Sequence, residues 1–234
     1  MAQRMSDAKR SRGFRGVNKA SNMQRAMVVS SRYNRRYGAR ALQRAPGMQR
    51  ETGFVDLALA GYNMDTTGSI VLIATVPQGA GVSQRVGKKI VWKSLQCRGV
   101  VQNNSAAAGT DDAVLIVYDK RPTGALPAIT DILTTANSIA FNNDANSGRF
   151  TILKRMDFAL VGAPSTTTGT ESSYVSADFY LPLKNLPCNF KAAATGAIGD
   201  IEQGALYLVT VGNQAAGTSA ATANLAFRTR FLDI

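Results

Sequence analysis

The stretch Tyr174-Val-Ser-Ala-Asp-Phe-Tyr-Leu181 alternates without a break. Val175, Ala177, Phe179 and Leu181 fall on one face, and Tyr174, Ser176, Asp178 and Tyr180 on the other. A period of two marks an extended chain with one buried face. The same pattern recurs in Asn224-Leu-Ala-Phe-Arg-Thr-Arg-Phe-Leu232, where Leu225, Phe227 and Phe231 share a face and Arg228 and Arg230 point away from it. Six further segments read as strands: 53–62, 69–76, 88–102, 113–118, 149–161 and 205–211. Segment 113–118 is continuously apolar, as expected of a strand covered on both sides. In 149–161, Phe150, Ile152, Met156, Phe158 and Leu160 share one face. Loops 103–112, 164–173 and 212–223 are rich in Gly, Ser, Thr, Asn and Ala, and a short helix is predicted near 128–135. Eight strands with long, irregular loops fit an all-β, two-sheet jelly roll better than a tight up-and-down barrel.

Charge divides the chain differently. Residues 1–50 carry thirteen cations against one acid, Asp7, and residues 51–234 carry fourteen of each sign. The net +12 therefore lies wholly in an N-terminal arm, 1–50, before a neutral body, 51–234. The arm's cations are Arg4, Lys9, Arg10, Arg12, Arg15, Lys19, Arg25, Arg32, Arg35, Arg36, Arg40, Arg44 and Arg50. Most are arginine, whose planar fork binds phosphate through paired hydrogen bonds and also stacks on bases. Phe14, Tyr33 and Tyr37 lie among them as stacking groups. Large apolar residues are too sparse for the arm to offset its ordering entropy alone, apart from a short helix near 23–31. Pro46 and Gly47 mark its end. The expected partner is single-stranded nucleic acid, bound through counterion release. A mitochondrial transit peptide and a merely solvated tail share this composition.

Little in the chain points to catalysis. It has no histidine and two cysteines, Cys97 and Cys188, without C-x-x-C spacing. The Gly-rich stretch 79–89 lacks the phosphate-loop pattern: Val82 stands where a glycine belongs, and Lys89 where Ser or Thr belongs. Asp111-Asp112 offers two loop carboxylates, more often solvated than metal-bound. No apolar run is long enough to span a bilayer, and no leader-like apolar segment opens the chain. The expectation is no enzyme, no cofactor, no metal and no membrane partner.

Four segments resemble the coat proteins of geminiviruses and related small circular single-stranded DNA viruses. The first is Gln84-Arg-Val-Gly-Lys-Lys-Ile-Val-Trp-Lys-Ser-Leu-Gln-Cys-Arg-Gly99. The second is Val114-Leu-Ile-Val-Tyr-Asp-Lys-Arg-Pro-Thr-Gly124, and the third is Arg149-Phe150. The last is Leu225-Ala-Phe-Arg-Thr-Arg-Phe-Leu-Asp233. Their order holds from about residue 54 to the end. The chain departs from that family in lacking histidine and in a shorter arm with no Cys/His cluster.

The resemblance implies a single jelly roll whose copies tile an icosahedral shell in the virion, with the arm turned inward to a single-stranded, circular DNA genome. It also places the last strand centrally, beside the first and third, with Arg228 and Arg230 on the face toward the interior. Lys89 or Lys93 would add to them. The competing reading pairs both arginines with acids on a neighbouring strand or subunit. A DNA genome copied by host machinery implies nuclear entry, with Lys9-Arg10-Ser11-Arg12 and Arg32-Tyr33-Asn34-Arg35-Arg36 as signals for a host import receptor. Two alternatives stand beside this one: a coat protein of a small single-stranded RNA virus, and a non-viral nucleic-acid-binding protein with a basic tail.

Overall fold

The computed structural model describes residues 52–103, 109–161, 173–192, 194–217 and 220–234. The arm, its expected helix and its cations lie outside the described residues.

Two sheets face each other across one core. The first runs β1 (Thr52–Met64), β10 (Ala221–Asp233), β3 (Lys89–Gln102), β7 (Phe179–Phe190), β8 (Ile201–Gln203), with β6 (Tyr174–Ser176) also on β3. The second runs β2 (Ser69–Leu72), β9 (Ala205–Gly212), β4 (Thr110–Asp119), β5 (Phe150–Leu160). Every pairing is antiparallel. The chain crosses between the sheets from β1 to β2, β2 to β3, β3 to β4, β5 to β6, β8 to β9 and β9 to β10, which is the jelly-roll path. The last strand lies between the first and the third, as the resemblance implied.

The eight expected strands are present, with differences at their ends. The sixth breaks after Ser176, because the Asp178 carboxylate accepts the Gly99 N–H (3.0 Å) where a backbone partner would sit. Val175, expected inward, is 41% exposed there. Its continuation, β7, runs through Pro182 and Pro187, residues that normally end a strand. They are tolerated because only Asn189 and Phe190 pair onward with β8, leaving most of that edge free of a ladder. The second strand ends at Leu72, short of Val76, and β8 is additional to the eight. The expected helix is one turn, α1 (Ile129–Ile132), whose Asp131 accepts the Ala128 N–H.

Strand β4 is buried from Asp112 to Asp119, as its apolar run predicts. One side meets the other sheet. The other is covered by the link 120–149, which Arg155 of β5 holds by donating to the carbonyls of Ser138 and Ala140. Phe150, Phe158 and Leu160 are core residues, as are Leu225, Phe227 and Phe231. Both cysteines are free and buried, and burial pushes the Cys97 thiol up to about 12. Trp92 is fully buried, donates to the Gly204 carbonyl (2.9 Å) and meets Phe231 edge to face. Gly204 has φ +86, and a Cβ there would lie 2.0 Å from the Pro187 oxygen, so only glycine fits.

The four motifs read separately in sequence meet in pairs. The first and last join through the β3–β10 ladder, through Trp92 on Phe231, and through Asp233, which accepts the Val86 and Gly87 N–H groups. At Gly99 the strands are so close that a Cβ would lie 2.0 Å from the Asn224 oxygen. The second and third join where Arg149 forks onto Asp119, with Nη2 to Oδ2 at 2.9 Å.

Asp111 and Asp112 do not converge on a cation. They are neighbours on a strand, so one is exposed and the other buried. Asp112 accepts from Thr110 Oγ1 (2.6 Å), while its buried Oδ1 has no hydrogen-bond partner among the described residues and lies close beside Gly212, where a Cβ would come within 2.4 Å of it. Burial raises this carboxyl from 3.8 to about 6. A raised folded-state value stabilises the fold below the unfolded value, and that stability is lost as pH rises through the folded one. The Asp112 contribution therefore falls by about 2 kcal/mol between pH 4 and pH 7. Denaturation of Asp112→Asn beside the native chain should show little difference at pH 4 and a more stable variant at pH 7. A gap that does not change with pH would refute this.

Candidate nucleic-acid interface

With the link covering the second sheet, the outer face of the first is the open one. Strand parity decides what stands on it. On β10, Leu225, Phe227, Thr229 and Phe231 point inward, so Arg228 and Arg230 point outward and are exposed. On β3, Lys89 and Lys93 are outward up to a bulge, where the register with β7 and β10 slips at Lys93. Beyond the bulge parity shifts, and Gln96 and Arg98 take the outer face. Facing the bulge, Lys184 and Asn185 adopt φ of 50 and 62, and Lys93 donates to Asn185 Oδ1 at 2.7 Å. The cations Lys89, Lys93, Arg98, Arg228 and Arg230 thus share one face, with the carboxylate of Asp56 set against Arg228.

The two arginines foreseen from sequence differ. Arg228 sits opposite Asp56 of β1 and forks onto it, Nε to Oδ1 at 2.8 Å and Nη2 to Oδ2 at 2.7 Å. Its guanidinium also lies over the Phe54 ring, 4.9 Å from the centroid. This hydrogen bonding holds the Asp56 carboxyl below the usual carboxylate range and raises Arg228. The ion-pair reading is thus met by Arg228. Arg230 forms no salt bridge among the described residues. Sequence reasoning turned Tyr180 outward on its own strand but did not place Gln96 or Arg98 on this face; the register Arg228–Gln96–Tyr180 across three strands brings them together.

The turn before β3 is no phosphate cradle. Gln84 folds its amide into it, accepting the Gly81 N–H (2.8 Å) and filling the space beside Gly79. The adjoining Arg85 is fully buried, 4.1 Å over the Phe190 ring, and donates to the Val76 and Gly87 carbonyls. Among the described residues no group of three or more His, Cys, Asp or Glu could hold a metal, and no helix is long and apolar enough to cross a membrane.

Fold and face together define a single jelly roll with one open, basic sheet. The chain belongs to the Geminivirus coat protein/nuclear export factor BR1 family, which it matches over residues 2–233. It is similar to the capsid protein of Miscanthus streak virus (isolate 91), 26% identical over 160 residues covering 61% of this chain and 63% of that one. The match thus spans under two thirds of that relative's length. Solved structures with some likeness include infectious bursal disease virus, Gx strain (9% identity, TM-score 0.32, 80% of this chain and 35% of that one). Empty-head turnip yellow mosaic virus is another (14% identity, TM-score 0.32, 81% and 84%). These scores are low, and the fold rests on the strand order itself.

Proposed function

We propose that this chain is a viral coat protein that assembles into an icosahedral shell and packages a single-stranded, circular DNA genome. The observation that carries this is family membership over nearly the whole chain, joined to a segregated charge: an arm of net +12 before a neutral body. A neutral body packs against its own copies without net repulsion. One arm binds a strand weakly, and many arms on one shell bind it by avidity. The arm is 1–50 and the shell domain 51–234. The role is structural, not catalytic. Arm cations with Tyr33 and Tyr37 hold the strand, and Arg230 with Arg228 adds a contact from the sheet. Sedimentation and electron microscopy of the purified chain should show closed megadalton particles; a small, monodisperse species would contradict the reading.

The sheet contact has its own test. Arg230→Glu removes a cation without breaking an ion pair, so subunit stability should hold. Packaged nucleic acid should fall, and the salt dependence of single-strand binding should flatten by about 0.7 for each phosphate no longer neutralised. Unchanged affinity would reject the contact.

The same basic arm serves as a nuclear import signal read by a host receptor. A fluorescent fusion of residues 1–45 should collect in nuclei; a cytoplasmic fusion would contradict it.

A further inference from the structure

We propose that a hollow on the outer face of the first sheet, between Arg98 and Arg228, holds one nucleotide of a single strand in a fixed place. This rests on the packaging function argued above and adds an ordered site on the shell domain to it.

The hollow has a structural cause. Between Leu57 and Ala60 the register of β1 against β10 slips, so Ala58 and Leu59 together face the single residue Ala226. A bulge of this kind bends its strand. Ala58 and Ala226 contribute only methyl groups, and the bend leaves a groove of about 400 Å³ whose lining includes Gln96, Arg98 and Arg228. That lies within the usual size of small-ligand sites, roughly 300–1,000 Å³.

The lining suits a nucleotide's three parts. Arg228 is already oriented, forked onto Asp56 and lying over Phe54. Asp56 occupies two of its donors, and the remaining N–H groups are free for a phosphate oxygen. Arg98 is exposed and forms no salt bridge among the described residues, so it supplies the second fork. The Gln96 amide offers both a donor and an acceptor to a base edge. Tyr180, paired across from Gln96 and 67% exposed, presents a ring for stacking. Stacking on aromatic rings tolerates any base, which suits a genome bound without regard to sequence. A base inside a duplex offers neither a free face nor a free pairing edge, so the groove selects an unpaired strand.

Photocrosslinking tests this on the full chain. Particles are assembled on oligothymidine carrying 5-iododeoxyuridine, irradiated, digested and mapped by mass spectrometry. Adducts are expected on the Tyr180 peptide as well as on the arm. Arg98→Ala, in particles that sediment as native, should lower the Tyr180 adduct about tenfold and leave arm adducts unchanged. Tyr180→Phe should retain the shell-domain adduct, and Tyr180→Ala should lose it. Adducts confined to residues 1–50 would overturn the groove and leave packaging standing. Protein that yields no adduct anywhere would overturn both.

Discussion

A chain lacking residues 1–45 is expected to fold and to lose its nucleic acid. The deletion removes twelve of the thirteen N-terminal cations, leaving Arg50. Each phosphate left without its cation lowers the single-strand salt exponent by about 0.7, so affinity near physiological salt should fall by orders of magnitude. Among the described residues the buried core runs from Tyr62 to Phe231, all of it retained in this variant. The sheet cations remain, and by themselves they are too few to retain a genome. The 260/280 nm absorbance ratio of purified material should fall to that of protein alone, with no nuclease-protected strand. An unchanged ratio would show that the arm does not hold the genome.

The second large effect is on the fold. Asp119→Ala should destabilise the subunit by about 3 kcal/mol, the lower end of the cost of breaking a buried ion pair. Asp119 is fully buried, and its carboxylate serves four groups: Arg149 Nε, Arg149 Nη2, the Arg121 N–H (2.9 Å) and the Tyr207 hydroxyl (3.3 Å). The lower end applies because the Arg149 side chain is 24% exposed and recovers some hydration when stranded. For a subunit of this size the melting temperature should drop by roughly 6–12 °C. Asp119→Asn, which retains an acceptor, should lose less. Equal melting of Asp119→Ala and the native subunit would show that the pair contributes nothing net.

The joining of two sequence motifs at this pair shows what the sequence makes legible. Alternation identifies a strand wherever one face is buried, which is why β10 and its outward arginines are readable from residues 224–232. It fails where a side chain replaces a backbone partner, as Asp178 does at the break between β6 and β7. It fails in β8, whose three residues are too few to show a period. In β3 the bulge at Lys93 shifts the parity, so Lys89 and Lys93 on one side and Gln96 and Arg98 on the other share a face that no single alternation predicts. Partners are harder still. Asp56 and Arg228 stand 172 residues apart, and only the pairing of the first strand with the last brings them together. The arm needed no structure to be noticed, because its signal is composition.

Whether this chain encloses a single-stranded DNA is decided by the nucleic acid inside purified particles. Particles would be treated with nuclease to clear their exterior, then extracted, and the released material digested in parallel with DNase I, RNase A and the single-strand-specific nuclease S1. The expected result is a strand degraded by DNase I and by nuclease S1 and untouched by RNase A. Degradation by RNase A, resistance to nuclease S1, or particles with nothing inside would contradict it.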